Sequence, residues 1–282
     1  MLPAIFIASI LLIGALIPTT LSLFPGQLLN QVLADTVTGT DGDDNLEGSD
    51  NDDDIEGKGG DDRIDSKGGN DRNTGDKNEG DGDGGDDVIK SGDGNDFNRG
   101  DNEVGNGDGG NDNIDSGDGD DRNVGDNSLG DGDGGDDVIN SGDGNDFNRG
   151  DNEIGDGDGG DDVIKSGDGF DFNVGDTNNG DGDGGDDVIN SGAGDDTNVG
   201  DNRFGSGDGG DDVIKSGKGN DVNLGDNFEG NGAGGDDKIN AAQGDDELTG
   251  GGGADKFKCG SGVDTVTDFN EAEGDKAAGN CE

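Results

Sequence analysis

The chain contains no His, Tyr or Trp, and only two Cys and three Pro among its 282 residues. Without His, it can form neither a histidine general base nor a His-ligated zinc or copper site. Apolar residues make up 24% of the chain, and 22 of them lie in residues 1–34. The remaining sequence is too poor in apolar side chains, at its high net charge, to fold without a counter-ion.

Acidic residues dominate the charge, with 71 Asp and Glu against 17 Lys and Arg, for a formal net charge of −54. Such a chain repels phosphate groups, so nucleic acid is excluded as a partner. Divalent cations, basic surfaces and mineral faces remain as partners.

Residues 4–17 form an apolar run, and Val32-Leu33-Ala34 precede a cleavage point before Asp35. This pattern predicts a secretory signal peptide over residues 1–34, although no Lys or Arg precedes Lys58. The alternative is an uncleaved amino-terminal anchor, because Ala4 to Leu23 is long enough to span a bilayer. Both interpretations place the acidic part in the extracellular space or at the cell surface, and cleavage leaves no membrane segment.

Seven tandem copies of a 25-residue unit run from Gly57 to Asn231, as in GDGGDDVIK, SGDGNDFNR and GDNEVGN from Gly82 to Asn106. A fixed period of this size indicates a solenoid. One apolar position recurs at this spacing without a slip: Ile64, Ile89, Ile114, Ile139, Ile164, Ile189, Ile214 and Ile239.

Each copy divides into two nonapeptides and a seven-residue spacer. Both nonapeptides fit the frame G-G-x-G-x-D-x-U-x, in which U is a large apolar residue, and both have Asp in sixth place, as at Asp87 and Asp96. Over residues 39–267 the chain therefore resembles the haemolysin-type (RTX) calcium-binding repeat family. The resemblance implies an all-β fold, a right-handed parallel β-roll or β-helix solenoid with 25-residue coils and calcium in the turns.

Glycines in the GGxGxD turn permit backbone angles that let carbonyl oxygens converge on an ion, and Asp supplies a hard oxygen ligand. Oxygen ligands without His or Cys select calcium, while magnesium demands stricter octahedral geometry. The resemblance implies that neighbouring turns complete one cage, so that Asp87 shares an ion with the turn at residues 107–112. Plain solvated turns are the alternative. The predicted ligands for multiple Ca²⁺ ions are Asp44, Asp53, Asp62, Asp71, Asp87, Asp96, Asp112, Asp121, Asp137, Asp146, Asp162, Asp171, Asp187, Asp196, Asp212, Asp221, Asp237, Asp246, Asp255 and Asp264.

The second nonapeptide carries Asn at its U position in every full copy. If the neighbouring column pointed inward, Arg99 and Arg149 would be buried without a partner, which is costly. We therefore predict a ladder of inward amides, with Phe97, Arg122 and Phe147 in cation–π contact outside. The opposite phase, with Asn outward, is the alternative. The amides concerned are Asn73, Asn98, Asn123, Asn148, Asn173, Asn198 and Asn223.

The spacer GDNxxGx has Asp in second place throughout. Plain turn formation is our prediction for it, as a short third side or a bulging loop. A further ion column at these aspartates is the alternative: Asp76, Asp101, Asp126, Asp151, Asp176, Asp201 and Asp226.

We predict three segments: the leader 1–34, the repeat solenoid 35–240, and final nonapeptides with a carboxy-terminal cap over 241–282. The stretch Asp264-Thr-Val-Thr-Asp-Phe269 resembles the end of RTX arrays, so Val266 and Phe269 are expected to close the solenoid. Cys259 and Cys281 are disulfide candidates, because an even pair in an exported chain favours pairing over free thiols.

No segment outside the repeats is long enough for a catalytic domain, and the sequence contains no motif typical of a catalytic nucleophile. The sequence therefore favours a calcium-binding structural or adhesive protein that folds on calcium, is not an enzyme, and contacts cell-surface polymers or mineral. Alternatives are a mineral- or ice-surface binder and a non-catalytic accessory to an extracellular enzyme. The turn residues Asp93, Gly94 and Asn95 include no Thr, so the turns cannot form a row of Thr side chains, which argues against an ice-binding function.

Overall fold

The computed structural model describes residues 35–79, 82–228 and 232–282, so the predicted leader lies outside the described residues. Within these ranges the secondary structure is entirely β, with turns and bends between strands. None of the described residues forms a helix long and apolar enough to cross a bilayer.

Short strands follow one another along the described chain. They are β1 (Thr36–Thr38), β2 (Asn45–Glu47), β3 (Asp54–Lys58), β4 (Arg63–Asp65), β5 (Arg72–Glu79), β6 (Val88–Lys90), β7 (Phe97–Val104), β8 (Asn113–Asp115), β9 (Arg122–Leu129), β10 (Val138–Asn140) and β11 (Phe147–Glu153). The array continues with β12 (Val163–Lys165), β13 (Phe172–Asn178), β14 (Val188–Asn190), β15 (Thr197–Arg203), β16 (Val213–Lys215), β17 (Val222–Phe228), β18 (Lys238–Asn240), β19 (Glu247–Thr249), β20 (Lys256–Lys258), β21 (Thr265–Val266) and β22 (Lys276–Ala278).

The odd-numbered strands form one parallel sheet of 11 strands and the even-numbered strands form another. We call them the long-strand sheet and the short-strand sheet. Each coil contributes one strand to each, and Ile139 pairs with Ile164 one coil later. The pairing of Ile239 with Phe257 shows that coils shorten to 18 residues near the end, with no break in the sheet at residue 240. The predicted all-β parallel solenoid with 25-residue coils is confirmed.

The core is a single file of apolar side chains along the short-strand sheet. Each Ile at the U position of a first nonapeptide is at most 1% exposed, because the short strand turns its central side chain inward. Leu46 and Phe257 occupy the equivalent places toward the two ends. One large apolar side chain per coil is a small core for 25 residues.

The facing file in the long-strand sheet is the amide ladder, and the predicted inward orientation is confirmed. Asn123 Nδ2 donates to Asn148 Oδ1 at 2.9 Å, and Asn148 Nδ2 donates to Asn173 Oδ1 at 2.9 Å. Each Asn is fully buried. Asn148 Nδ2 also donates to Ser141 Oγ at 3.0 Å, so a buried serine supports each amide.

The predicted cation–π contacts lie on the outer face of the long-strand sheet. The guanidinium carbon of Arg122 lies 4.9 Å from the ring centre of Phe147 and 5.6 Å from that of Phe97. Contacts of this kind contribute about 0.5–1 kcal/mol each at exposed sites. The outward position of the Arg side chains is therefore consistent with the cost of burying them alone.

At the carboxy-terminal end, Val266 packs against the core, as predicted. Phe269 is 46% exposed and lines one depression together with Val266 and Cys281, so it covers the end of the solenoid only in part. The chain then turns over residues 270–274 and adds β22 to the short-strand sheet. Phe269 lies three residues beyond the end of β21.

Candidate metal centres

The sixth residue of each nonapeptide lies directly before a strand, and the carboxylates of successive coils stack in two rows. In the row before the short-strand sheet, the Asp87 backbone N–H donates to Asp112 Oδ1 at 2.7 Å. In the row before the long-strand sheet, the Asp96 N–H donates to Asp121 Oδ1 at 2.8 Å. The first row contains Asp44, Asp62, Asp87, Asp112, Asp137, Asp162, Asp187, Asp212, Asp237 and Asp255. The second contains Asp53, Asp71, Asp96, Asp121, Asp146, Asp171, Asp196, Asp221, Asp246 and Asp264.

All of these side chains except Asp44 are buried. In each of these buried carboxylates the Oδ1 atom accepts a backbone N–H, as in Asp112 and Asp121. The Oδ2 atoms of Asp87, Asp96, Asp112 and Asp121 are buried without a hydrogen-bond partner. A buried ionised oxygen without a partner costs several kcal/mol. Repeated orphan oxygens of this kind are the ligand atoms that a hard cation needs.

The turns that carry the second row stack closely. Gly92 and Gly94 have φ angles of 91° and 153°, in the region that favours glycine. A Cβ added to Gly94 would overlap the carbonyl oxygen of Gly69 in the preceding coil. The backbone carbonyls of successive turns therefore lie one above another, and no side chain can separate them.

The spacer is not a plain turn, so that prediction is wrong for its first half. Its first residues extend the long strands, and Asp101 pairs with Asp126 in the sheet. Asp101 Oδ2 accepts the Gly110 N–H at 2.7 Å, and its Oδ1 atom is buried without a hydrogen-bond partner. The spacer carboxylate thus points into the first row.

The spacer aspartates complete groups of three carboxylates whose ligand atoms lie within 4.8 Å of one another. In each group two members belong to the first row, in consecutive coils, and the third comes from the spacer strand between them. The groups include Asp62–Asp76–Asp87, Asp87–Asp101–Asp112, Asp112–Asp126–Asp137, Asp137–Asp151–Asp162 and Asp162–Asp176–Asp187.

A family model described as the RTX calcium-binding nonapeptide repeat matches residues 34–72, 131–147, 206–222 and 231–266, in four copies. The chain carries RTX calcium-binding repeats. No curated protein matches it. RTX repeats bind Ca²⁺ at multiple sites in their turns, and the orphan oxygens of both rows fit that ion. Oxygen is the only donor element in the rows, which is the ligand set that calcium prefers.

The electrostatics of the RTX turns agree with this ligand set. Burial, followed by repulsion from neighbouring carboxylates, raises the pKa of Asp87 to about 9 and that of Asp101 to about 8. Burial also raises the pKa of Asp96 to about 7, mainly through loss of hydration. Carboxylates in such surroundings take up protons unless a cation replaces the lost hydration and separates the like charges.

Two members of the rows fall outside the nonapeptide frame. Asp275 Oδ1 accepts the Asp255 N–H at 3.1 Å and continues the first row by one coil. Asp35 donates its N–H to Asp53 Oδ1 at 2.9 Å and begins the second row. Both lie where the frame is interrupted, so only the stacking of coils reveals them.

Cys259 and Cys281 form a disulfide in the structure, with their Cα atoms 5.4 Å apart. Cys259 is buried and packs in the apolar core cluster, while Cys281 lies at its edge. The disulfide therefore joins the last residues of the chain to the final RTX coils.

Proposed function

We propose that this chain is an exported structural protein, acting in the extracellular space or at the cell surface, whose RTX solenoid forms when calcium binds. The observation that supports this most directly is the file of buried carboxylate oxygens that lack protein donors. A calcium ion between consecutive coils would supply the missing partner to both. The twenty sixth-position aspartates predicted from the sequence are the proposed ligands.

A role without catalysis follows from the way the acidic groups are used. The buried carboxylates of the rows recur from coil to coil, so no pair of them stands in a unique environment suited to acid–base chemistry. Structural, adhesive or coating functions need only a regular surface.

Folding and calcium binding are expected to be one event, because a single apolar file and an amide ladder provide little driving force. The test is circular dichroism of the mature chain, first in chelator and then in millimolar calcium, with calorimetric titration alongside. The expected result is coil-like ellipticity without calcium and a β signal with it. Equal β content in both conditions contradicts the proposal.

Export is tested separately, by amino-terminal sequencing of the protein from the medium and from the cell surface. A chain that begins at Asp35 supports cleavage of residues 1–34. A membrane-bound chain that begins at Met1 supports the anchor.

A calcium-mineral surface is the second candidate for what the solenoid contacts. Exposed aspartates occupy the second place of the first nonapeptides and repeat along one edge of the solenoid, which we call the acidic turn edge, at the strand spacing of about 4.8 Å. They include Asp108, Asp133 and Asp158. Their Oδ1 atoms accept backbone N–H groups of the next coil, as Asp133 does from Asp158 at 3.0 Å, which fixes their orientation. Inhibition of calcium-carbonate growth by the calcium-loaded chain supports this candidate, and no effect at micromolar protein removes it.

A further inference from the structure

We propose that the spacer aspartates make the first row a distinct class of metal site, built from three carboxylates per cage. This inference rests on the proposed calcium function and assigns a role to residues outside the nonapeptide frame. Asp126 illustrates it: the side chain is buried, Oδ2 accepts the Gly135 N–H at 2.8 Å, and Oδ1 is buried without a partner. The Oδ2 atoms of Asp112 and Asp137 are also buried without partners and belong to the same group.

The glycines next to this cage have no room for a side chain, because the carboxylates occupy the space that a Cβ would fill. A Cβ added to Gly125 would overlap the Asp137 carboxylate, and one added to Gly109 would overlap the Asp126 carboxylate. One coil earlier, Gly100 and Gly84 stand in the same relation to the carboxylates of Asp112 and Asp101. The spacer and turn glycines therefore hold the three acids together.

Charge distinguishes the two rows. Each 25-residue coil adds two buried aspartates to the first row, one from the turn and one from the spacer, but only one to the second. One divalent cation per coil would therefore neutralise these aspartates of the first row. In the coil of Asp101, the buried Glu103 adds one further negative charge. Affinity in oxygen-only calcium sites rises with the number of charged ligands and with rigidity. We expect the first row to bind calcium at least about tenfold more tightly than the second.

The test compares three variants of the full-length chain, each with one carboxylate changed to an amide. Asp126→Asn removes a spacer ligand, Asp121→Asn removes a second-row ligand, and Asp133→Asn changes an exposed acid in the turn of a first nonapeptide as a matched control. Calcium stoichiometry and affinity are measured by calorimetry and by terbium luminescence, with circular dichroism to verify folding in excess calcium. Asp126→Asn is expected to remove one or two of the tight sites, Asp121→Asn only weak ones, and Asp133→Asn none.

The outcomes separate this inference from the function on which it rests. If the unmodified chain binds no calcium, the proposed function fails. If it binds calcium and folds, but Asp126→Asn matches Asp133→Asn, only the spacer site is refuted. Should Asp126→Asn not fold, Asp76→Asn at the first spacer tests the same ligand where fewer coils depend on it.

A separate observation concerns the outer face of the long-strand sheet between β5 and β17. The two columns that flank the amide ladder on this face contain no acidic residue, although the chain carries 71. From β5 to β11, Arg72, Phe97, Arg122 and Phe147 alternate in one column, and Arg99 and Arg149 lie in the other. Arg149 lies 5.3 Å from the ring centre of Phe147. We call this surface the arginine face.

The arginine face has the composition of a protein interface, which is enriched in aromatic residues and Arg and depleted in Asp and Glu. Beside it runs an apolar row with Val104, Leu129 and Ile154 exposed to 47%, 45% and 50%. The Nε atoms of Arg99 and Arg149 are buried without a hydrogen-bond partner.

We infer that the arginine face receives the acidic turn edge of a second copy of this chain. Charge complementarity favours an acidic partner, and a copy of this solenoid repeats its exposed aspartates at the same strand spacing as the arginines. Face-to-face pairing would leave the arginines against apolar residues without counter-ions, which is costly. Because the two surfaces differ, the contact does not close on itself and builds open assemblies.

Sedimentation velocity of the calcium-loaded chain tests this contact over a range of concentrations. The double variant Arg122→Gln with Arg149→Gln is compared with Lys165→Gln and Lys215→Gln, which removes equal charge from the other sheet. Association that the Arg variant abolishes and the Lys variant preserves is the expected result. A chain that remains monomeric at about 100 μM, equal effects of the two variants, or arginine-dependent binding of a polyuronate to a non-associating chain overturns the inference.

Discussion

Replacing Asn148 with Ala removes one member of the amide ladder from the middle of the array. Asn148 donates to Ser141 Oγ and to Asn173 Oδ1, and it accepts from Asn123 Nδ2. After the substitution, Asn173 Oδ1 is a buried acceptor without a donor. Each lost hydrogen bond costs about 0.5–1.5 kcal/mol and each buried orphan about 1–3 kcal/mol. We therefore expect the free energy of unfolding to fall by about 3–5 kcal/mol.

The carboxy-terminal end of the amide ladder suggests a double variant that restores part of the lost stability. Where the ladder ends, Leu248 takes the place of Asn and Ala241 takes the place of Ser, and both are fully buried. A double variant, Ser141→Ala with Asn148→Leu, copies this pair and leaves Asn173 Oδ1 as the main orphan. Asn73 Oδ1 is already such an orphan at the other end of the ladder. The double variant is therefore expected to lose only about 1–3 kcal/mol.

Urea unfolding at fixed, saturating free calcium measures these differences, with the β signal in circular dichroism as the readout. Asn140→Ala is the matched control, because Asn140 is exposed and its amide bonds only to Asp115. A surface change of this kind costs less than about 0.5 kcal/mol. The reasoning is refuted if Asn148→Ala is no more destabilising than Asn140→Ala, or if the double variant is less stable than the single one.

Three further predictions concern protonation, turn packing and the carboxy terminus. In chelator, the pKa values of Asp87 and Asp101 are raised to about 9 and about 8, so the folded form binds more protons than the unfolded form and its stability falls as pH rises from about 4 to about 9. Acidification from about pH 8 to about pH 5 is therefore expected to increase the β signal in circular dichroism. The absence of an increase contradicts this prediction. Gly100→Ala is expected to weaken calcium-dependent folding because its Cβ would overlap a first-row carboxylate, whereas Gly82→Ala enters open space; equal calcium midpoints in a titration would argue against the packing. Reduction of the disulfide between residues 259 and 281, which are 22 positions apart, is expected to lower the free energy of unfolding of the carboxy-terminal coils by about 3 kcal/mol. Hydrogen exchange measured over a urea series should then show these coils opening at a lower urea concentration.

The sequence predicts the stacking well because the period fixes the register. A column of Ile at a constant 25-residue spacing has one low-energy arrangement, in which each Ile lies over the next. Because the aspartates recur at the same spacing, this arrangement also predicts the positions of the two Asp rows. The inward Asn followed from the cost of burying Arg99 and Arg149, since only one phase of the strand keeps both outside.

The spacer could not be predicted in the same way. Gly-Asp-Asn is a common turn sequence, and its extension of β7 depends on the neighbouring strands that offer it hydrogen-bond partners. The sequence does carry a signal for the role of Ser141 and its equivalents. Ser opens every second nonapeptide that has Asn at U, and Ala241 opens the one that has Leu248.

The amide ladder and the calcium rows belong to one physical arrangement. A ladder of hydrogen-bonded amides specifies the register of the coils but contributes little net free energy, because the unfolded amides bond to water equally well. Under the proposed function, the bound ions then decide whether the chain folds. Each proposed cage lies between two coils, so a single coil has no complete site, and the first stacked pair is costly while later coils add to an existing edge. Formation of the solenoid with rising calcium should therefore be steep, and steeper in longer arrays than in shorter ones.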